Sequence, residues 1–68
     1  MKSMGSYIKA CRIARGFTQE ELGILCGYTP GSANKTVYTW EHDMQKVPLD
    51  RLRKLSKALQ VPLDSLIP

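Results

Sequence analysis

The chain has too few cysteine and histidine residues to build a metal site. Its 68 residues include two cysteines, Cys11 and Cys26, and one histidine, His42, whereas a structural zinc site takes about four closely spaced ligands. Each cysteine lies among apolar neighbours at a helical core position, so we expect two reduced, buried thiols rather than a disulfide. We therefore expect no metal and no cofactor.

Long apolar runs and catalytic groupings are also missing. No apolar run approaches the ~18 residues that a membrane-spanning helix needs, and Met1–Gly5 lacks the apolar segment of a secretion signal. We therefore expect a cytosolic chain without membrane contact. Ser3, Ser6 and Ser56 have no base or orienting acid nearby in the sequence, so an enzyme is the least favoured class of function.

The chain does have enough apolar residues for one compact core, together with an excess of positive charge. Apolar residues make up 43% of the sequence, the net charge is +4 and the pI is about 9.3. A length of 68 residues predicts a single domain over residues 1–68. The basic charge is a weak indication of a polyanionic partner, because many small basic domains bind no nucleic acid.

Helical periodicity predicts an all-α chain with five helical segments and no strand. Thr18 and Glu21 form a capping-box pattern at the start of the second segment, and Gly23 inside it indicates either close approach of another helix or a tolerated glycine. Gly16 and Gly27 mark helix ends. The predicted segments span about residues 6–15, 18–26, 34–42, 49–59 and 63–67.

The third segment has two contrasting faces. One face carries Ala33, Val37, Trp40 and Glu41 at helical spacing, and is predicted to face the core. The other face is polar, mostly uncharged and rich in hydrogen-bonding groups: Asn34, Lys35, Thr36, Tyr38 and Thr39. Such a face is either simply solvated or suited to reading base edges in the major groove, which admits one helix. Two short helices joined by a turn are the pattern of a helix-turn-helix.

The order of these residues resembles the Cro/C1-type helix-turn-helix domains of phage repressors. The resemblance covers about residues 7–67 and is carried by Arg12-x-x-x-Gly16-Phe17-Thr18-Gln19-Glu20-Glu21-Leu22, Gly27, Val37-x-x-Trp40-Glu41 and Leu52-x-x-Leu55-Ser56-x-Ala58-Leu59-x-Val61-x-Leu63-Asp64-x-Leu66. It implies a five-helix, lambda-repressor-like domain that binds double-stranded operator DNA, usually as a homodimer on a palindrome. It also implies a bacterial or phage transcription regulator, with repression favoured because occupancy of the operator suffices.

The resemblance also implies a role for individual residues. Gln19 matches a residue that contacts the DNA backbone, at the start of the second helix. The base-reading positions are matched by Asn34, Lys35 and Thr39, and the flanking positions by Thr36 and Tyr38. Arg12 and Glu41 match a partly buried ion pair, to which we assign a structural role.

Three features of the sequence depart from the family pattern. The spacing from Gly27 to Val37 is longer than usual, which predicts a lengthened turn over residues 28–33. This turn either contacts the DNA backbone or is a tolerated surface insertion. Asp43 stands where a helix-ending glycine is usual. Ile24 and Leu25 lie side by side where polar residues are common, so we expect at least one to be exposed.

Two further surfaces remain open to more than one interpretation. Leu49, Leu63, Leu66 and Ile67 either form a dimer contact or complete the core of a monomer. The outward cations of the fourth helix, Arg51, Arg53, Lys54 and Lys57, are either a solvated face or a DNA clamp. The rival function is a protein-interaction module, such as the antitoxin of a toxin–antitoxin pair, with Ile24 or Leu25 in its working surface.

Overall fold

Four α-helices and one short 3₁₀ helix make up residues 3–67, the part of the chain that this computed structural model describes. They are α1 (Met4–Ala14), α2 (Gln19–Leu25), α3 (Pro30–Glu41), α4 (Leu49–Leu59) and a 3₁₀ turn (Leu63–Leu66). The all-α prediction is confirmed over this range, but the five-helix count is not, because the fifth predicted segment is a short 3₁₀ turn. The last segment is too short for an α-helix, and it closes with bonds three residues apart, such as Ser65 N to Pro62 O at 3.1 Å. No helix in residues 3–67 is long and apolar enough to cross a bilayer.

Side-chain caps fix the starts of the first two helices. The Ser3 hydroxyl accepts a bond from the Ser6 amide at 3.1 Å at the start of α1. At α2 the Glu21 amide donates to the Thr18 hydroxyl at 3.0 Å, and the Thr18 amide donates to Glu21 Oε1 at 2.8 Å. The predicted capping box is therefore confirmed, and it satisfies two amides that the helix itself leaves free.

Helix α3 begins four residues earlier than the sequence pattern predicts. Thr29 is its N-cap, Pro30 is its first residue, and the Ala33 amide donates to Thr29 O at 2.8 Å. Proline suits this position because its φ is already helical and its missing N–H would have no partner there. The predicted lengthened turn over residues 28–33 is therefore wrong: the additional residues form an extra first turn of the helix.

The core is a cluster of side chains from all four helices and the 3₁₀ turn. Its buried members are Ile8, Leu22, Cys26, Val37, Trp40, Leu52, Leu55, Leu59 and Leu66. Cys26 is buried and Cys11 half-buried, and both are free thiols. Burial raises the pKa of the Cys26 thiol to about 11, so this residue packs as a small apolar side chain.

Two glycines let helices approach more closely than any side chain would allow. A Cβ at Gly23 would lie 2.5 Å from Ala33 Cβ and 2.6 Å from Ala33 O, so α3 packs directly on the backbone of α2. This result supports close approach over simple tolerance at Gly23. Gly5 brings α1 equally close to the end of α3, because its Cβ would collide with the carbonyl oxygens of Trp40 and Glu41.

Candidate nucleic-acid interface

From Ala33 to Glu41, helix α3 presents one buried face and one exposed face. Ala33, Val37, Trp40 and Glu41 are buried, as the spacing predicts. Three of the predicted DNA-contacting residues, Asn34, Lys35 and Tyr38, are exposed, and the other two on this helix, Thr36 and Thr39, are half-buried. The exposed groups therefore lie together on one helix, whose opposite face packs against the rest of the protein.

The first turn of α3 adds two residues to this exposed face, which the sequence pattern had assigned to the turn over residues 28–33. Gly31 and Ser32 are both exposed, and a Cβ at Gly31 would have no atom within 4 Å. Lys35 follows Gly31 by four residues, so the two lie on the same side of the helix. The signal that could have found them is the Thr29–Pro30 pair, which is an N-cap residue followed by a proline at the first helical position.

The two threonines of the predicted site use their hydroxyl hydrogens within the protein. Thr36 Oγ1 donates to Ser32 O at 2.9 Å, and Thr39 Oγ1 donates to Thr36 O at 2.6 Å. Each hydroxyl oxygen keeps lone pairs, so in this arrangement it can accept a hydrogen bond from a base amino group. A threonine hydroxyl in this state offers an acceptor rather than a donor to a ligand.

Tyr38 and His42 form an aromatic pair near the C-terminal end of the exposed face. Their ring centroids are 4.0 Å apart with an angle of 32° between the planes, and both residues are exposed. They lie four residues apart and therefore stack along the helix surface. The pair places two exposed aromatic rings at this end of α3, and Tyr38 lies three residues after Lys35.

The structure turns Gln19 towards the protein interior. Gln19 is half-buried, and its Nε2 donates to Glu41 Oε1 at 3.1 Å. The second amide hydrogen and the amide oxygen remain available, because this bond uses one of the two N–H groups. A contact from Gln19 to the DNA backbone therefore stays a prediction, which has to be compatible with the bond to Glu41.

Arg12 and Glu41 form the predicted ion pair, at the C-terminal end of α3. Arg12 Nε lies 2.6 Å from Glu41 Oε2, and Arg12 Nη2 lies 3.2 Å from Oε1. The Glu41 side chain is 1% exposed and that of Arg12 is 12% exposed. Arg12 Nη1 also donates to Phe17 O at 2.8 Å, so the guanidinium joins α1, the loop before α2 and the end of α3. Within residues 3–67 no buried side-chain polar atom lacks a hydrogen-bond partner.

Asp43 lies just after α3 and links the C-terminal end of this helix to the start of α1. Its φ of 57° lies in the left-handed region that glycine adopts most easily, which accounts for the usual glycine at this position in the family. Its Oδ1 accepts a bond from the Gly5 amide at 2.9 Å. The Ser3 hydroxyl, the Gly5 amide and the nearby His42 lower the pKa of Asp43 below its usual range.

This geometry is that of a helix-turn-helix. Helices α2 and α3 pack through Gly23 and Ala33, the short segment Cys26–Thr29 joins them, and α3 projects an exposed, hydrogen-bonding first turn. In such motifs the N-terminal residues of the second helix reach the base edges of the major groove. The arrangement is therefore suited to duplex DNA.

Comparison with known proteins agrees with this geometry. A family model described as helix-turn-helix matches residues 8–66, which is most of the chain. No curated protein and no solved structure gave a match. The chain therefore belongs to the helix-turn-helix family of the Cro/C1 type, a family of DNA-binding regulatory domains.

Proposed function

We propose that this protein is a sequence-specific transcription regulator that represses by occupying a palindromic operator. We further infer that it is bacterial or phage-encoded and acts in the cytoplasm, on the nucleoid. The observation that carries the proposal is the exposed face of α3, on which Gly31, Ser32, Asn34, Lys35 and Tyr38 are all accessible. The opposite face is buried from Ala33 to Glu41, so the helix packs on the protein with its polar face outward.

The side chains of this face suit particular base edges. Lys35 would donate to the N7 and O6 acceptors of guanine, and Asn34 would pair with the N6 and N7 groups of adenine. Thr39 would accept from a base amino group, since its hydrogen is held by Thr36 O. Thr36 and Tyr38 flank these positions and would contact the groove edge. Each well-placed pair of bonds contributes about 1–3 kcal/mol of discrimination between bases.

Gln19 would donate a hydrogen bond to the sugar–phosphate backbone from the start of α2. The helix begins at Gln19, and its capping box occupies the Thr18 and Glu21 amides but not those of Gln19 and Glu20. The free amide hydrogen of Gln19 would add one more donor while the other stays bonded to Glu41. Backbone contacts of this kind set the register of the protein on the duplex without reading sequence.

A homodimer would place two copies of α3 on successive major grooves, about 34 Å apart. Of the four residues that the sequence offered for this contact, Leu49 and Ile67 are 85% and 50% exposed, whereas Leu66 is 3% exposed and belongs to the core. Leu63 is half-buried against the core. Leu49 and Ile67 line one groove of about 620 Å³ together with Met44, which is 65% exposed. We propose that this groove is the dimer contact.

The proposal is tested by selecting bound duplexes from a random pool with the wild type, Lys35→Ala and Thr39→Ala. Lys57→Ala serves as the control, because it removes an equal charge from an exposed position on α4. We expect a palindromic motif that each α3 variant relaxes at particular bases, while the control leaves it unchanged. Recovery of no motif, or of a motif that neither α3 variant alters, would refute reading by this helix.

One observation favours a second function, that of a protein-interaction module such as an antitoxin. Ile24 and Leu25 are both exposed, at 44% and 49%, and with Phe17 and Glu21 they line a shallow pocket of about 270 Å³. Apolar side chains paired on a small surface are typical of protein contacts. A partner that co-purifies with the wild type and is lost with Ile24→Ser/Leu25→Ser would support this function. Salt-sensitive duplex binding that survives the same changes would support the regulator.

A further inference from the structure

Two cations from α4 converge on Gly27, in the segment that joins α2 to α3. A Cβ at Gly27 would lie 2.9 Å from Arg51 Nη1 and 3.0 Å from Lys54 Nζ. The two nitrogens are therefore no farther apart than the sum of these distances. The φ of Gly27 is 98°, so the backbone itself favours glycine here, and the missing side chain leaves room between the cations.

Aromatic packing holds the Arg51 side chain at this position. Its guanidinium carbon lies 4.9 Å from the centroid of the Tyr28 ring, and Tyr28 packs edge-to-face on Trp40 at 5.8 Å. Arg51 is consequently half-buried rather than fully solvated, unlike the outward position that the sequence predicts for it. Contact with the Tyr28 ring therefore places the guanidinium of Arg51 beside the segment that precedes α3.

The two cations have no acidic partner in the part of the chain that the structure describes. In residues 3–67 the one salt bridge is that of Arg12 with Glu41. Both positive charges also act on the Cys26 thiol, where they oppose the effect of burial on its pKa. Like charges that are brought together without a counter-charge repel one another, and an anion bound between them relieves that repulsion.

We propose that Arg51, Lys54 and the backbone at Gly27 form a binding site for one phosphate of duplex DNA. The inference rests on the proposed function, because it requires α3 to lie in the major groove. Gly27 precedes the first residue of α3 by three positions, so a helix in the groove brings this segment towards the sugar–phosphate strand at its edge. Arginine offers a planar pair of donors to phosphate oxygens and lysine offers a compact point charge.

The site divides the four cations of α4 into two pairs. Arg51 and Lys54 lie three residues apart on one side of the helix and meet at Gly27. Arg53 and Lys57 are exposed on the same helix, and neither supplies any of the three atoms that lie nearest to a Cβ at Gly27. The pair Arg53→Gln/Lys57→Gln is therefore a control of equal charge for Arg51→Gln/Lys54→Gln.

The test measures the affinity of the full chain for a duplex selected by the wild type, as a function of salt. We expect Arg51→Gln/Lys54→Gln to weaken binding about tenfold at physiological salt. The slope of log affinity against log salt should fall by about one, which corresponds to one lost phosphate contact. The control pair should change the slope much less. Equal losses in the two double variants, or no loss in either, would overturn the site.

Two further measurements separate a failure of this site from a loss of folding or of DNA binding. Lys54→Gln alone leaves Arg51 on Tyr28, so a partial loss of slope in a variant with wild-type thermal stability supports the site without disturbing the fold. Titration of the free protein with inorganic phosphate, followed by the amide resonances of Gly27 and Tyr28, needs no DNA binding. Shifts that Arg51→Gln/Lys54→Gln abolishes support an anion site even if the wild type binds no duplex and the proposed function fails. Absence of such shifts in the wild type would overturn the site.

Discussion

The two ends of α3 are held in opposite ways. At the C-terminal end, Glu41 accepts bonds from Arg12 and Gln19, and Gly5 packs its backbone against the last carbonyls. At the N-terminal end, Thr29 makes no side-chain bond to the helix backbone, and residues 29–32 are all exposed. Near that end, Ala33 packs closely on Gly23. The helix is thus anchored by charge and backbone packing at one end, which leaves the other end free to project towards a ligand.

The largest effect is expected from breaking the anchored end with Glu41→Gln. This change leaves the Arg12 guanidinium, which is 12% exposed, without its carboxylate. Stranding one member of a buried ion pair costs about 3–5 kcal/mol, a large share of the stability of a small domain. We expect urea denaturation to show a loss of unfolding free energy of that order.

Arg12→Met is the complementary variant, because it leaves the buried carboxylate of Glu41 with Gln19 as its remaining side-chain partner. It should be destabilising to a similar extent. A double variant that loses less than the sum of the two single losses would identify the pair as the cause. Unfolding free energies equal to that of the wild type in both single variants would contradict the anchoring role.

The next effect comes from Gly23→Ala, which tests the contact that orients α3 on α2. Helix propensity alone would favour alanine by about 1 kcal/mol. The new Cβ would instead lie 2.7 Å or less from backbone atoms of Ala33, and both helices would have to separate. We expect a net destabilisation of about 1–3 kcal/mol in denaturant titration. A gain in stability would show that the two helices are free to move apart.

Gly31→Ala is the matched change at the projecting end and should have the opposite sign. Nothing lies within 4 Å of its new methyl group, and Gly31 has no positive φ. Reducing the freedom of the unfolded chain should therefore stabilise the fold by about 0.5 kcal/mol. The methyl group would also face the proposed DNA surface, so we expect weaker operator binding from a more stable protein. Tighter operator binding would mean that the first turn of α3 stays clear of the groove.

The smallest effect concerns the pH dependence contributed by Asp43. Because the folded protein lowers the pKa of this carboxyl, the charged form stabilises the fold above the ordinary value of about 3.9. That contribution is lost as the pH falls through the lowered value. The difference in unfolding free energy between the wild type and Asp43→Asn should therefore shrink on acidification from pH 7 to pH 3. A difference that stays constant over this range would contradict this role of Asp43.

The sequence predicted the buried face of α3 and the bounds of α4 because both depend on local periodicity. It placed the start of α3 wrongly because proline and glycine occur both in turns and in the first turn of a helix, and residues 28–32 fit either pattern. Gly23 favours the helix, because it lets Ala33 pack directly on the backbone of α2.

Tertiary contacts could not be predicted in the same way. Nothing near Gln19 in the sequence indicates that its amide bonds to Glu41, 22 residues away. The convergence of Arg51 and Lys54 on Gly27 likewise joins segments that are far apart in the chain. Nothing in the sequence distinguishes the four cations of α4 from one another. Only the fold separates the pair at Gly27 from the pair that lies elsewhere on the helix.

The packing around Trp40 has a practical consequence for all of these measurements. Trp40 is the one tryptophan of the chain, and its side chain is 2% exposed beneath Tyr28. Its fluorescence therefore comes from a single dry environment in the folded protein and shifts to longer wavelength when unfolding admits water. Because Tyr28 also supports Arg51, the same indole emission should respond when an anion binds beside Gly27. The protein thus carries an intrinsic optical probe for its folding, and we expect the same probe to report on the proposed anion site without any added label.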